Sequence, residues 1–195
     1  MARPRAADYD EKRLAILRKS AELFAENGFD RTSMTEIALA LGVSKALFYH
    51  YYRAKDDLLF DIIQTHLIEL VESAEAADDH ALEARSRLQN VISAILDCYR
   101  DADAEHKIQI NHLGQLLPDQ QTLLRELERR LVNVMAGIVA ALNPALDKAT
   151  VKPLTMSIFG TLNWKYMWFR EGGAVSREAY VAMVTRMFAA GIKNV

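Results

Sequence analysis

Ser44-Lys45-Ala46-Leu47-Phe48-Tyr49-His50 puts a hydroxyl, an ammonium, a phenol and an imidazole within seven residues. Wound as a helix, this segment turns Lys45, Ala46, Tyr49 and His50 outward and Leu47 and Phe48 inward. The outward groups suit recognition of an anion more than bond making. A lysine reaches a guanine edge or a phosphate, and a tyrosine or histidine reaches a flanking phosphate. Ser44, and Thr32 or Ser33 further back, stand where a helix start offers a hydroxyl and backbone N–H groups to a phosphate. Lys55 adds a cation at another helix start. There it opposes the helix dipole, unless a phosphate sits nearby. Arg3 and Arg5 form a short basic arm that suits a minor groove, or is a solvated tail.

Catalytic and metal chemistry have less to work with. His106 and His112 are six residues apart and do not share a helical face. There is no His-x-x-x-His pair, no cysteine cluster, no Gly-x-Ser-x-Gly elbow, no P-loop and no dinucleotide fingerprint. No metal and no cofactor is expected. His112 beside Asn111 is either a polar anchor in a ligand pocket or a satisfied buried histidine. An enzyme built on His112 would lack a paired nucleophile.

The elements that must position these groups are helical throughout. Asp8 and Glu11 have capping-box spacing, and Leu14, Leu17, Ala21 and Phe24 follow it at helical intervals. A helix over about 10–27, closed by Gly28, is predicted. Ser33-Met34-Thr35-Glu36 is a second capping box. It opens Met34–Leu41 with Ile37, Ala38 and Leu41 inward, and Gly42 stops it. Ser44 caps Lys45–Tyr51, with Val43 tucked beneath the turn. Further helices are predicted near 55–76, 82–99, 104–116, 121–142 and 148–170. A last one, capped by Ser176, carries Tyr180, Met183, Val184, Met187 and Phe188 as one stripe. No alternating run reads as a strand. The expectation is an all-α chain of about nine helices, with its only composition shift near residues 55–75.

Charge is unevenly spread. Residues 1–55 hold ten basic and seven acidic side chains, whereas residues 56–195 hold 14 basic and 19 acidic. A basic first quarter on an acidic remainder points to an anionic partner at one end. The longest apolar run, Val134–Leu142, is nine residues, less than half of the roughly 20 that span a membrane. No secretory leader is read at the start. Cys98 is the single cysteine and cannot form an internal disulfide, so a cytoplasmic location is expected.

Over about residues 10–60 the chain resembles the TetR/AcrR family of transcriptional regulators. The resemblance rests on Ala21-Glu-Leu-Phe-Ala-Glu-Asn-Gly-Phe-Asp-Arg-Thr-Ser-Met-Thr-Glu-Ile-Ala, on Leu-Gly-Val-Ser44-Lys-Ala-Leu-Phe-Tyr49-His-Tyr-Tyr and on Lys55-Asp-Asp-Leu-Leu59. Ala46 stands where the family often has glycine, and Ala54 where serine or asparagine would cap the next helix. The second change weakens a cap by about 1 kcal/mol. The resemblance implies a three-helix helix-turn-helix DNA-binding domain over 1–55 and a helical ligand-binding and dimerisation bundle over 56–195. It implies double-stranded operator DNA as partner, contacted by Thr32, Ser33, Ser44, Lys45, Ala46, Tyr49, His50 and Lys55. It also implies a homodimer through the last two helices.

Gly160-Thr-Leu-Asn-Trp164-Lys-Tyr-Met-Trp168-Phe-Arg170-Glu-Gly-Gly173 looks like the matching segment of regulators that sense acyl-CoA thioesters. A repressor released by a small apolar effector is therefore expected. The effector is an acyl-CoA, another hydrophobic or aromatic molecule, or there is none. Candidate ligand residues are Asn111, His112, Phe159, Asn163, Trp164, Trp168 and Arg170, with Met135 and Leu113 as further apolar lining. Lys165, Arg129 or Arg130 are further cations for its phosphates. The remaining rival is a helical dimer whose helix-turn-helix is only a structural corner. Salt-dependent, sequence-selective DNA retention separates the two.

Overall fold

The computed structural model describes residues 3–100 and 102–195, with side chains from residue 9 onward. Among the described residues every regular element is helical. In order they are α1 (Arg3–Asn27), α2 (Met34–Ala40), α3 (Lys45–Tyr51), α4 (Lys55–Ala77), α5 (Ala84–Cys98), α6 (Asp103–His112), α7 (Pro118–Leu142), α8 (Lys148–Asn163) and α9 (Arg177–Ile192). Single 3-10 turns follow α6 (Leu113–Gln115) and α8 (Lys165–Met167). The chain divides into two units, Met1–Leu67 with Asp101–Leu124, and Ile68–Arg100 with Arg125–Val195. No described helix is long and apolar enough to cross a membrane.

Short polar side chains set most of the helix starts. The Ser33 hydroxyl accepts from the Glu36 N–H, and the Ser33 N–H donates back to the Glu36 carboxylate (2.7 Å). That returned bond holds the Glu36 carboxyl below its usual pKa. Ser44 and Ser176 accept from the N–H groups of Leu47 (3.1 Å) and Ala179 (3.2 Å), and Asp147 accepts from Thr150 (2.7 Å). Gly28 ends α1 at φ 90°.

In the first unit the buried stripe of α1 is Ile16, Leu17, Ala21 and Phe24, packed in a core with Ile37, Phe48, Leu58, Leu59, Ile62 and Ile108. Each large apolar side chain so buried contributes roughly 1.5–3 kcal/mol. One carboxylate fastens this core to the end of α3. Asp61 on α4 accepts from Arg13 of α1 (Nε, 2.9 Å) and from the hydroxyl of Tyr52, the residue that ends α3. Arg13 also donates to Thr65 (3.1 Å). In the second unit α5 and α9 pack antiparallel. Arg177 at the start of α9 donates to Asp97 near the end of α5 (3.0 Å) and to Glu171. Leu88, Ile92 and Ile95 of α5, with Tyr180, Val184 and Ile192 of α9, are buried in this unit.

Several boundaries depart from expectation. α1 starts at Arg3 and not after Asp8, because Pro4 fits a first turn and Ala6 and Ala7 favour helix. The side chains of residues 3–8, Arg3, Arg5 and Asp8 among them, lie outside the described residues. Leu14 and Leu47 are exposed, not inward. Pro118 opens α7 as its first residue, where a missing N–H costs nothing. α8 stops at Asn163 and not near 170. Lys165 is buried there, with its ammonium 4.4 Å from the centre of the Phe169 ring and 3.6 Å from Glu171, and this local cluster overrides helical spacing. On α9 Met183 and Met187 leave the predicted stripe and face outward.

Two stability tests follow from the first unit. Asp61→Asn should cost about 1–2 kcal/mol in urea unfolding and Tyr52→Phe about 1 kcal/mol, the former moderated because Arg13 is partly solvated. Unchanged midpoints for both would remove the carboxylate from its fastening role. The second test is pH. Burial, then the neighbouring His106 ring (centroids 5.9 Å apart), push the His66 pKa down to about 3 from 6.5. The unfolded chain takes up that proton near pH 6.5 and the folded chain only near 3. Stability from His66 is therefore complete above pH 6.5 and declines toward pH 3, by about 1.4 kcal/mol per pH unit. Unfolding midpoints at pH 7.5 and 5.5 should separate in wild type and converge in His66→Leu, and equal separation in both proteins contradicts the assignment.

Candidate nucleic-acid interface

α2 and α3 meet at Gly42, whose φ of 67° is a left-handed conformation that side-chain-bearing residues avoid. The turn is held by the Gly42 N–H on the Leu39 carbonyl (3.0 Å) and the Val43 N–H on the Ala38 carbonyl (3.1 Å). Ile37 and Ala38 of α2 and Phe48 of α3 are fully buried and fix the angle between the two short helices. With Phe48 pointing inward, Lys45, Ala46, Tyr49 and His50 are all exposed on the opposite side of α3, Tyr49 at 45%. Leu47 joins them at 41%, because it lies about 100° around the helix from Phe48. The outer face of α3 thus offers a cation, a phenol, an imidazole and an apolar side chain.

Beside this face lies a surface recess of about 320 Å³ at the start of α2. Thr32, Ser33, Tyr49 and Lys55 line it, joined by Arg31 and Thr35. Four residues singled out by type and spacing therefore share one concavity, at a capped helix start. Their individual tasks differ from expectation. Thr32 is buried and its hydroxyl donates to the Gly28 carbonyl (2.9 Å). Ser33 is exposed beside the recess. The Lys55 ammonium donates to the carbonyls of Phe29 (2.7 Å), Thr32 (3.2 Å) and Asp30 (3.3 Å), and sits 4.4 Å from the Phe29 ring centre. Three carbonyls account for a cation at the start of α4 without a phosphate. Lys55 ties down the loop that presents α2.

Sequence reasoning missed the fastenings. Tyr9 of α1 stacks on Tyr51 of α3 (centroids 4.7 Å, planes 19° apart), and Tyr52 takes the Asp61 carboxylate. The adjacent Tyr51-Tyr52 pair at the end of a short helix was the available signal. Phe29 was also missed. Its ring lies between the Lys55 ammonium and the His112 imidazole (5.7 Å).

The candidate ligand residues divide between the two units. Asn111 and His112 belong to the first, at the end of α6. The Asn111 amide donates to the Lys107 carbonyl (2.7 Å), and His112 Nδ1 lies 3.1 Å from the Gln115 side-chain oxygen. Phe159, Asn163, Trp164, Trp168 and Arg170 belong to the second. Phe159 is buried, and Asn163 accepts from the buried Tyr99 hydroxyl (2.8 Å). Trp164 and Trp168 are 61% and 52% exposed, the latter edge-on to Tyr180. Met135 and Leu113 are buried. Of the four cations considered for phosphates, Arg130 forks onto Glu75, Arg129 pairs with Glu126 and Lys165 with Glu171, while Arg170 is exposed. Among the described residues no cluster of three or more His, Cys, Asp or Glu could hold a metal.

Known proteins fit this geometry. The family described as bacterial regulatory proteins, tetR family, matches residues 16–62, and the tetracyclin repressor-like C-terminal domain matches residues 81–192. The HTH-type transcriptional activator FasR of Mycolicibacterium smegmatis is 32% identical over 88 residues, 45% of this chain and 40% of that protein's length. The HTH-type transcriptional repressor KstR2 of Rhodococcus jostii is 24% identical over 85% of this chain and 83% of its own length. A TetR-family regulator structure from Bordetella parapertussis superimposes with a TM-score of 0.85 at 29% identity, covering 94% of this chain and 96% of that one. The structure of AibR in complex with isovaleryl coenzyme A and operator DNA has the same fold, with a TM-score of 0.71 at 22% identity over 93% and 96% of the two chains. The left-handed turn at Gly42, the outward face of α3 and these matches agree: the chain belongs to the tetR family of bacterial regulatory proteins and is a DNA-binding transcriptional regulator, not an enzyme.

Proposed function

We propose that this chain is a cytoplasmic homodimeric repressor that leaves its operator when a small apolar effector binds. Residues 1–55 serve DNA, and residues 56–195 serve effector binding and dimerisation. The observation that carries the DNA half is the outer face of α3, set rigidly by Phe48, Tyr52 and the capping of Ser44. Lys45 reads a base edge or phosphate. Tyr49, His50, Ser33 and Ser44 hold flanking phosphates, Ala46 lets the backbone of α3 approach closely, and Thr32 and Lys55 brace the loop between them. One short helix supplies few contacts, so two subunits place their α3 helices in successive major grooves, roughly 34 Å apart or somewhat more.

The two-fold contact falls to α8 and α9. Met156, Met183 and Met187 are exposed on these helices although apolar side chains of this size are usually covered. Repression is favoured over activation by the relatives: the match to the repressor KstR2 runs over 85% of the chain and that to the activator FasR over 45%. An acyl-CoA effector draws support from AibR, whose structure holds isovaleryl coenzyme A with operator DNA. Phe159, Trp164 and Trp168 of the second unit then face the acyl part, with Asn163 and Arg170 as polar contacts. A hydrophobic or aromatic effector without phosphates is the second reading, favoured by the pairing of Arg129, Arg130 and Lys165 with carboxylates. In either case the effector shifts the population only by binding one spacing of the two α3 helices better than the other.

DNA selected from random duplexes, then challenged with a panel of acyl-CoAs, tests the whole reading. Recovery of a palindromic site and its elution by one acyl-CoA are expected, and retention without sequence preference refutes it. Tyr49→Ala should weaken binding about equally across sequences, and Lys45→Ala should cost about 1–3 kcal/mol at one base position while relaxing preference there. If neither variant alters affinity for the selected site, α3 is not the reading helix. Met183→Asp with Met187→Asp should yield monomers in sedimentation and weaken operator binding by at least about tenfold. A double variant that remains dimeric moves the two-fold contact off α9.

A further inference from the structure

Six cations of the second unit are held by carboxylates: Arg87, Arg100, Arg129, Arg130, Lys165 and Arg177. Arg85, Arg186 and Lys193 have no ion pair and no hydrogen bond among the described residues, yet they line one recess of about 300 Å³. The antiparallel packing of α5 and α9 brings them together, since Arg85 lies in the first turn of α5 while Arg186 and Lys193 lie near the end of α9. The rest of the lining is Ala189 and Ala190, whose small side chains leave the space open. No carboxylate lines it.

Three like charges around one hollow repel one another, and each is a strong donor left to water. A multiply charged oxyanion relieves the repulsion and accepts from two guanidinium forks and an ammonium together. We propose that this recess is a binding site for phosphate groups, most fittingly a pyrophosphate, carried by a small-molecule effector. The proposal deepens the acyl-CoA reading, because the cations first considered for the phosphates of such an effector are largely neutralised elsewhere. The site itself depends only on the three free cations and the space between them. Its phosphates come either from a nucleotide-bearing effector or from free pyrophosphate.

Calorimetric titration of the full-length protein with inorganic pyrophosphate and, separately, with unacylated coenzyme A tests it. Arg186→Gln/Lys193→Gln and Arg85→Gln change exposed side chains that hold no other partner, and Lys148→Gln removes an exposed charge far along the sequence from the recess. Wild type and Lys148→Gln should bind alike. Arg85→Gln should bind roughly tenfold more weakly, and the double variant more weakly still. Tighter binding of coenzyme A than of pyrophosphate, lost in the same variants, identifies a nucleotide-bearing effector. Equal binding identifies free pyrophosphate as sufficient. No binding by wild type overturns the proposal, as does equal weakening in Lys148→Gln. Unaltered pyrophosphate binding in a double variant that has lost its dimer also overturns it, and reassigns the recess to the twin subunit. Failure of every acyl-CoA to elute DNA, with pyrophosphate binding intact, would sink the acyl-CoA reading and leave the site standing.

Discussion

A single carboxylate ties together the helices that hold the outer face of α3. Asp61 lies on α4, yet it binds the residue that ends α3. It takes the Tyr52 hydroxyl on one side and the Arg13 guanidinium on the other, so that α1, α3 and α4 share one polar joint. Burial and the Asp61 bond raise the Tyr52 phenol well above its ordinary pKa, which keeps it a hydrogen donor across the range in which proteins live. Apolar packing around Phe48 sets how deep α3 lies. A directional bond at its last residue sets how far it is rotated. Both together fix the positions of Lys45 and Tyr49 on the outer face.

The loop before α2 shows the same economy. Lys55 places one ammonium against three carbonyls and an aromatic face, replacing the solvent that a six-residue loop would otherwise recruit. Phe29 is shared with His112, which belongs to the segment after α6, and Lys107 of α6 donates to the Ala25 carbonyl in the last turn of α1 (3.0 Å). Residues 102–124 thus belong with α1, α2 and α3, although they lie beyond residue 55 in sequence. A shift of α6 would be felt at Phe29, and from there at the loop that carries Ser33.

Much of this was legible in the sequence, and the reasons are local. Ser33, Ser44 and Ser176 announced helix starts because capping needs only a few consecutive residues, and Gly28 and Gly42 announced stops because each requires a left-handed backbone. The outward placing of Lys45, Ala46, Tyr49 and His50 followed from helical spacing, whereas Leu47 was expected inward and is exposed. What escaped depended on residues far apart in the chain. Nothing near Arg13 reveals that its partner is 48 positions on. Lys55 was singled out for the right residue type, but its carbonyl partners lie 23–26 positions earlier. The candidate effector residues were the least legible, because an apolar side chain lining a pocket and one filling a core carry the same pattern.

The two tryptophans lie four residues apart on the segment that follows α8, and the chain has no others. Both rings are more than half open to water. Intrinsic emission excited near the red edge of the tyrosine band therefore comes from one short stretch, with the helix-turn-helix optically silent. Free in water such indoles emit at long wavelength, and anything that covers them, whether a twin subunit or an acyl chain, moves that emission toward the blue. The molecule thus carries its own dye on the stretch that joins α8 to α9.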